Sequence, residues 1–144
     1  MSTAVEIEIR PASTPAEVES IQRLWDECGL GRAEPDEIDA LMENATTAVL
    51  VAIAGNDAIG TAIASFDGWR AYIYHVAVAP GARRSGLGHR LIAEAERYLK
   101  SAGARYVYVT VQEQNTEGLS LVGATGYLPE GEIVLTKRLA IRPA

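Results

Sequence analysis

The sequence has 144 residues, of which 48% are hydrophobic and 22% are charged, with a formal net charge of −6 at pH 7. This composition is typical of a globular chain and excludes a disordered or low-complexity protein. The length is that of one domain, which we expect to span residues 1–144. The negative charge disfavours nonspecific binding to nucleic acid or to an anionic membrane, so neither partner is expected.

Cysteine and histidine usage limits the chemistry further. Cys28 is the only cysteine, which excludes an internal disulfide and favours a reducing compartment. The two histidines stand at no ligand spacing, so no metal site is expected. The first residues lack the pattern of a secretion signal, and no apolar run has membrane-spanning length. We therefore expect a cytoplasmic protein.

The first third of the chain predicts a strand and two helices. Residues 5–9 alternate apolar and charged side chains, which predicts a half-exposed strand that ends at Pro11. A helix is predicted to begin at the capping Ser13 or Thr14 and to end at Gly29 or Gly31. A second, shorter helix opens at residues 35–37, where proline is followed by two acidic residues.

The middle of the chain predicts an antiparallel meander followed by a parallel step. Residues 47–54, 59–66 and 71–79 are apolar strands joined by short turns. A single apolar stripe predicts a helix from about Gly86 to Gly103, and residues 105–111 form a strand rich in β-branched and aromatic side chains. A strand, helix, strand order requires a right-handed crossover and parallel pairing.

The end of the chain predicts one more helix and one more strand. Residues 115–125 read as a short helix with Leu119 and Leu121 inward, and residues 133–139 read as a last strand. The expected fold is a mixed α/β sheet in which an antiparallel meander is combined with a central parallel strand pair and helices cover both faces.

A glycine-punctuated basic loop lies between the third meander strand and the long helix. The apolar run stops at Pro80, and the loop carries Arg83 and Arg84 before the helix begins near Gly86. Glycines allow close approach of the backbone to a ligand, and the first amides of a helix have no intrahelical acceptor. This pattern predicts a cradle for phosphate, most naturally a pyrophosphate. A dinucleotide-binding Rossmann unit is disfavoured, because G-x-G-x-x-G is missing and the loop follows an antiparallel meander.

The loop and a second stretch resemble one family. RRSGLG at residues 83–88 fits the [RQ]-x-x-G-x-[GA] signature of the GNAT (GCN5-related) N-acetyltransferases, and the strand before it and residues 115–127 are similar to theirs. The chain looks like a small bacterial single-domain branch of that family. The resemblance implies acetyl-CoA as co-substrate, with the strand backbone pairing with the pantetheine arm and the loop holding the pyrophosphate. The cofactor-binding residues that it implies are Val76, Ala77, Val78, Arg83, Arg84, Ser85, Gly86, Leu87, Gly88, His89 and Asn115.

The proton-transfer residues are where this sequence departs from the family. Val122 stands where the family usually has a tyrosine, and valine cannot donate a proton. The leaving thiolate would then need another acid, water, or no acid at all, since a thiol pKa near 8.5 already makes a fair leaving group. We take Tyr72, Tyr74 and His75 as the catalytic candidates; the two tyrosines are expected on the strand face opposite His75. Core packing is the plain alternative for all three.

Other residues have plain interpretations that we prefer. In the family, the first two helices lie beside the acceptor site, so Trp25, Arg32 and Asp36 are substrate-side candidates by position. We prefer core packing for Trp25 and a solvated surface position for Arg32 and Asp36. Asn115 can serve as a helix N-cap in addition to any cofactor contact.

The resemblance implies an enzyme that moves an acetyl group from acetyl-CoA to a primary amine of a small molecule or peptide, directly and within a ternary complex. The alternative is a catalytically quiet acyl-CoA-binding or regulatory module, suggested by the missing tyrosine. The acidic net charge leans towards a cationic acceptor. Homodimer formation through exposed strand edges remains an open alternative to a monomer.

Overall fold

A computed structural model of the protein describes residues 6–140 and contains one five-stranded sheet flanked by four α-helices. The strands are β1 (Ile7–Pro11), β2 (Thr47–Ala54), β3 (Asp57–Phe66), β4 (Ala71–Val78) and β5 (Val107–Val109). The helices are α1 (Pro15–Glu27), α2 (Pro35–Glu43), α3 (Leu87–Ala102) and α4 (Thr116–Ala124), and a 3-10 turn covers Pro80–Ala82. Val5, where the first strand was predicted to begin, lies outside the described residues.

The sheet is mixed, as the sequence predicts. Strands β1 to β4 pair antiparallel in chain order, and β5 pairs parallel with β4. The parallel step uses α3, whose 16 residues supply the crossover that two parallel neighbours require. In the described residues, β5 is the last strand on its side of the sheet.

Helices cover both faces of the sheet, and each face has its own apolar core. On one face, α1 and α2 pack over β2 and β3, with Ile21, Leu24 and Trp25 of α1 almost fully buried. On the other face, α3 presents its apolar stripe, including Leu91 and Leu99, to the opposite side of the same strands. Alternation of side chains along β2 serves both layers at once, which explains why the strand is apolar throughout.

Local signals set the ends of the helices. Thr14 caps α1: its hydroxyl accepts from the Glu17 amide, and the Glu17 side chain accepts in return from the Thr14 amide. Helix α3 begins after Gly86 and ends before Gly103, and both glycines have left-handed backbone conformations. These boundaries agree with those predicted from the sequence.

The last predicted strand is absent from the described part of the chain. Residues 133–139 have no regular structure, and their apolar side chains are open to solvent, with Leu135 83% and Leu139 92% exposed. A β-branched pattern reports only a preference for extended backbone, whereas a strand also needs a neighbouring edge with which to pair. The prediction for residues 133–139 was therefore wrong.

Two smaller predictions also need correction. Strand β5 covers only Val107–Val109 of the seven-residue strand predicted at 105–111, and its residues are half-buried. Leu119 of α4 was expected to face inward but is 46% exposed, and the buried residue of α4 is Val122. Among residues 6–140, no helix combines the length and the apolar character needed to cross a bilayer.

Candidate functional site

The site is built where β4 and β5 part. Their ladder runs only from the Ala71–Val107 pair to the Ile73–Val109 pair, followed by a 3.4 Å hydrogen bond from the Thr110 amide to the Ile73 carbonyl. Beyond Ile73, β4 continues to Val78 while β5 has ended. The second half of β4 therefore presents its backbone to a cleft instead of to a neighbouring strand.

A β-bulge in β4 coincides with this parting. Thr61 of β3 pairs with Ala77 and Ile63 pairs with Tyr74, so two residues of β4, His75 and Val76, oppose one residue of β3. His75 has φ of +49°, in the left-handed region that non-glycine residues seldom adopt. A bulge adds local twist and redirects side chains, and bulges are frequent next to active sites.

The bulge corrects one prediction about β4. With regular alternation, His75 would face away from Tyr74; instead the His75 ring makes edge-on contacts with both Tyr74 and Trp25, at centroid distances of 5.8 and 4.8 Å. Trp25 belongs to α1, so both β4 side chains lie on the α1 side of the sheet. The extra residue of the bulge is the physical reason that the alternation fails.

Hydrogen bonds hold the bulge in place. The Trp25 indole Nε1 donates to the Thr61 hydroxyl at 2.9 Å, and the Thr61 hydroxyl donates to the His75 carbonyl at 3.0 Å. The His75 Nε2 lies 3.0 Å from the Gly31 carbonyl oxygen in the connection between α1 and α2. Because a carbonyl only accepts, Nε2 must carry the proton, which leaves Nδ1 as the acceptor in the neutral ring.

We call the part of β4 beyond Ile73, which β5 does not accompany, the parted half of β4. A first cavity of about 430 Å³ runs from this parted half to the beginning of α3. It is lined by Val76, Ala77 and Val78 on β4, and by the loop and helix start that follow. All the cofactor-binding residues implied by the resemblance line this cavity except Ser85, whose hydroxyl donates to the Ala82 carbonyl at 2.5 Å.

The far end of the first cavity has the geometry of an anion site. The first i to i−4 bond of α3 runs from the Arg90 amide to the Gly86 carbonyl, so the amides of Leu87, Gly88 and His89 precede it at the helix N-terminus. Gly86 has φ of +82°, which a residue with a Cβ adopts only under strain. Arg84, itself left-handed with φ of +63°, adds positive charge to the lining. These residues fit a diphosphate.

Arg83 joins three elements at the rim of the first cavity. Its Nε donates to the Val78 carbonyl at 3.1 Å, its Nη1 lies 3.1 Å from a Glu117 carboxylate oxygen, and its Nη2 lies 3.9 Å from the Cys28 sulfur. Burial raises the pKa of the Cys28 thiol above its ordinary value, with the Arg83 guanidinium opposing that shift. Arg83 therefore ties β4 to α4 and to the end of α1.

A second cavity of about 350 Å³ adjoins the first. Residues shared by the two linings mark where they meet: Leu30, Val76, Asn115, Gly118 and Leu121. Asn115 also caps α4, its side-chain oxygen accepting from the Gly118 amide at 2.9 Å. The remaining lining residues of the second cavity are Gly31, Tyr74, His75, Thr110, Val111, Gln112, Val122 and Val134.

The three catalytic candidates separate in the structure. Tyr74 and His75 line the second cavity, and burial raises the pKa of the Tyr74 phenol above its usual value. Tyr72 lines neither cavity; its ring stacks on that of Tyr108 at 5.3 Å, because it lies on the part of β4 that β5 still accompanies. The geometry thus brings together only two of the three.

The three residues considered for the substrate side, Trp25, Arg32 and Asp36, lie in the core or on the surface, as the preferred interpretation predicts. Trp25 is 1% exposed and belongs to the core, and Arg32 forms ion pairs with Glu19 and Asp26 on the surface. Asp36 is exposed on α2. None of the three lines either cavity.

Some lining residues were not singled out from the sequence. Leu30 and Gly31 reach the cavities from the connection between α1 and α2, and Thr110 to Gln112 follow the short β5. Their positions depend on how far β4 and β5 diverge, which residue types do not reveal. At Gly88, which the family signature does single out, a Cβ would stand 2.7 Å from a Leu121 methyl carbon, so a larger residue there would require the Leu121 side chain to move.

Solved structures with the same fold include acetyltransferases. The aminoglycoside N-acetyltransferase AAC(6')-Iy in complex with CoA is 19% identical, with a TM-score of 0.80 over 97% of this chain and 99% of that one. An aminoglycoside 6'-N-acetyltransferase from Acinetobacter haemolyticus is 20% identical, with a TM-score of 0.76 over 93% and 99% of the chains. A transcriptional regulator from Bacillus halodurans is 19% identical, with a TM-score of 0.76 over 92% and 100%. At these identities the similarity establishes the fold.

The family assignment comes from the sequence itself. Residues 15–127, more than half of the chain, match the model of the acetyltransferase (GNAT) family. The match extends from the start of α1 through the loop, α3 and α4 to Tyr127, and so includes almost every element that lines the two cavities. The chain therefore belongs to the GNAT family of acetyltransferases, for which acetyl-CoA is the co-substrate.

Proposed function

We propose that the protein is an N-acetyltransferase that moves an acetyl group from acetyl-CoA to the primary amine of a small molecule or peptide by direct transfer within a ternary complex. The observation that carries the proposal is the meeting of two cavities at the parted half of β4, one ending at a helix N-terminus and the other lined by His75. Single-step transfer needs a donor and an acceptor that approach the same reacting centre from two sides.

The first cavity is assigned to the donor. The amides at the start of α3, with Arg84, would hold the diphosphate, and the β4 backbone from Val76 to Val78 would pair with the amide groups of the pantetheine arm. Acetyl-CoA supplies an already activated thioester. A β4 backbone amide next to the bulge would donate a hydrogen bond to the oxygen that becomes negative when the amine attacks.

The second cavity is assigned to the acceptor, and His75 to proton transfer. The ammonium form of the acceptor must first lose a proton, for which the Nδ1 lone pair of neutral His75 is the candidate acceptor. The amine nitrogen then attacks the thioester carbon, a C–N bond forms, and the C–S bond breaks with its electron pair leaving on sulfur. Loss of the second amine proton gives the amide, and one proton on the thiolate gives free CoA.

The leaving thiolate has no tyrosine at the usual family position, because Val122 stands there and lines the second cavity. A thiolate of pKa near 8.5 can depart without a strong acid, and water can protonate it afterwards. Tyr74 lines the same cavity, and its raised pKa keeps its phenol protonated and able to donate a hydrogen bond.

The proposal is tested by binding and turnover together. Acetyl-CoA is titrated into the protein by calorimetry, and free thiol is followed with a panel of primary amines. We expect a 1:1 complex and amine-dependent thiol release, with mass spectrometry detecting the acetylated amine. Absence of acetyl-CoA binding would refute the donor assignment.

A catalytically quiet acyl-CoA-binding module is the second candidate, favoured by Val122 at the position of the usual acid. It predicts the same acetyl-CoA binding but no thiol release with any amine. Val122→Tyr separates the candidates. In a quiet module that lost its acid, the added phenol would raise turnover from background, whereas in a working enzyme it would fill the second cavity and lower turnover.

A further inference from the structure

We infer that the acceptor is a monoamine with an uncharged, apolar skeleton of about one ring system, and not a polycation. The inference rests on the proposed function, because it names the substrate class of the same second cavity. Three observations carry it: the chemistry of the cavity lining, the charges on the adjoining sheet surface, and the size of the space.

The second cavity is lined mainly by aliphatic and aromatic side chains. Its aliphatic residues are Leu30, Val76, Val111, Leu121, Val122 and Val134. Tyr74 and His75 add aromatic surface, and the polar side chains are Thr110, Gln112 and Asn115. Among the described lining residues there is no Asp, Glu, Lys or Arg. Each additional ammonium group on an acceptor would lose its hydration here without gaining a carboxylate partner, which is unfavourable.

The sheet surface next to the cavity is electrically balanced and aromatic. Two residues before Tyr74 on β4, Tyr72 stacks on Tyr108, and the Arg70 guanidinium lies 5.4 Å from the Tyr108 ring centroid. The Glu132 carboxylate interacts electrostatically with Arg70. A polycation that extended along this face would meet no excess of negative charge, whereas an apolar or aromatic body would meet ring surface.

Although the chain has a net charge of −6, none of the acidic residues among residues 6–140 lines the second cavity. Several acidic residues outside this lining form ion pairs: Glu17 binds Arg10, Glu19 and Asp26 bind Arg32, and Glu94 binds Arg97. Glu117 binds Arg83 at the rim of the first cavity. The residues that would touch the acceptor therefore give no reason to extend the net-charge preference from one positive charge to several.

The same apolar lining suits the chemistry of a single amine. Only the neutral amine is a nucleophile, and a site of low polarity favours the neutral form over the ammonium form. A monoamine needs to lose one proton on entry, and His75 is the one histidine in the lining that can take it. The volume of about 350 Å³ lies near the lower end of ligand sites, which are roughly 300–1,000 Å³.

The test compares acceptors of different charge with the intact protein. With acetyl-CoA saturating, kcat/KM is measured by thiol release for 2-phenylethylamine, hexylamine, spermidine and kanamycin. We expect kcat/KM to be at least about 10-fold higher for the two monoamines than for both polycations, mainly because their KM is lower. A 10-fold ratio corresponds to roughly 1.4 kcal/mol.

A pair of variants places one carboxylate inside the lining and one outside it. Gln112→Glu adds a charge to the second cavity, and Gln114→Glu makes the same change two residues later, outside both linings. We expect Gln112→Glu to lower the ratio of monoamine to spermidine kcat/KM by about 10-fold, whereas Gln114→Glu leaves the ratio unchanged.

The outcomes distinguish this inference from the proposed function. Acetylation of spermidine or kanamycin as efficient as that of the monoamines, with no effect of Gln112→Glu, overturns the acceptor class but leaves N-acetyl transfer intact. Acetyl-CoA binding without acetylation of any amine overturns the proposed function, and the acceptor class with it.

Discussion

The imidazole Nε2 of His75 lies 3.0 Å from the carbonyl oxygen of Gly31, so the bulge in β4 is joined directly to the connection between α1 and α2. This contact sets the tautomer of the ring, because the Nε2 proton is donated to the Gly31 carbonyl and Nδ1 is left without it in the neutral ring. It also holds Leu30 and Gly31 against the cavities that they line. One hydrogen bond thus links the candidate base to the wall of the site.

Replacing His75 tests its role as the base. Asparagine tolerates the left-handed backbone that His75 adopts but cannot accept a proton at neutral pH, so His75→Asn removes the chemistry with little change in conformation. We expect kcat to fall by roughly 10²–10⁴-fold, the usual range for loss of a general base. The Kd for acetyl-CoA, measured by calorimetry, should stay within about twofold.

An unchanged kcat for His75→Asn would assign proton removal to water. A loss of acetyl-CoA binding equal to the loss of kcat would instead show that His75 acts by holding the bulge. The pH profile of kcat/KM provides the second readout, because the ionisation that belongs to the base should disappear from it.

The Thr61 hydroxyl supports the bulge from β3, and its removal should destabilise the protein. Thr61 is fully buried and accepts from Trp25 while donating to the His75 carbonyl. Thr61→Val keeps the shape but leaves both partners unsatisfied, so we expect the free energy of unfolding to fall by about 1–3 kcal/mol. Thr61→Ser keeps the hydroxyl and should lose much less in the same urea titration. Equal losses for the two variants would indicate that packing, and not hydrogen bonding, is responsible.

Much of the fold could be predicted from the sequence because it depends on local patterns. Residues close together in the sequence determine the apolar stripe of α3, the glycines at its ends and the cap of α1. The loop and helix start at Gly86 were readable for the same reason. Asn115 caps α4, as predicted, and it lines both cavities, whereas its contact with the cofactor stays a prediction.

The rest depends on contacts between distant segments. The bulge at His75 arises from pairing with β3, and no residue type in β4 predicts it. Residues 133–139 likewise have residue types that favour a strand, yet they pair with no strand in the described structure. Tyr72 and Tyr74 look equivalent in the sequence, yet only the second lies beyond the point where β4 leaves β5.

Gly86 should be needed for cofactor binding. Its φ of +82° costs a residue with a Cβ roughly 1–2 kcal/mol, so Gly86→Ala should strain the loop or turn its amides away from the diphosphate. We expect the KM for acetyl-CoA to rise by about 10-fold. Gly81→Ala is the matched control, because Gly81 lies in the same loop with no positive φ and open space around it. An equal effect of both substitutions would show that the loop is merely sensitive to bulk.

Cys28 offers a chemical probe of the first cavity. Its thiol lines that cavity, and burial raises its pKa, so iodoacetamide should react slowly at neutral pH and faster as the pH rises into the alkaline range. We expect saturating acetyl-CoA, which has no free thiol, to slow the reaction at least several-fold. Labelling is followed by intact-mass spectrometry, with Cys28→Ala as the unlabelled reference. An identical rate with and without acetyl-CoA would place the cofactor elsewhere.

Glu17 should make stability depend on pH in the acid range. Its carboxylate binds the Arg10 guanidinium and accepts from the Ser13 amide at 2.9 Å, and these contacts, with Arg10 foremost, lower its pKa from 4.5 to about 2. A group whose pKa is lowered by folding stabilises the native state above its unfolded pKa, and this contribution disappears as the pH falls through the folded value.

The test compares wild-type protein with Glu17→Gln, whose amide oxygen can still accept from the Ser13 amide. The Tm of the variant should be lower than that of wild type near pH 7, and the difference should shrink between about pH 4.5 and pH 2. Glu19→Gln removes a charge from an exposed pair on the same helix and controls for the loss of one negative charge. If the Tm difference for Glu17→Gln stays constant across that range, the Arg10–Glu17 pair does not perturb the carboxyl group, and the stability of the N-terminal end of α1 rests on its cap alone.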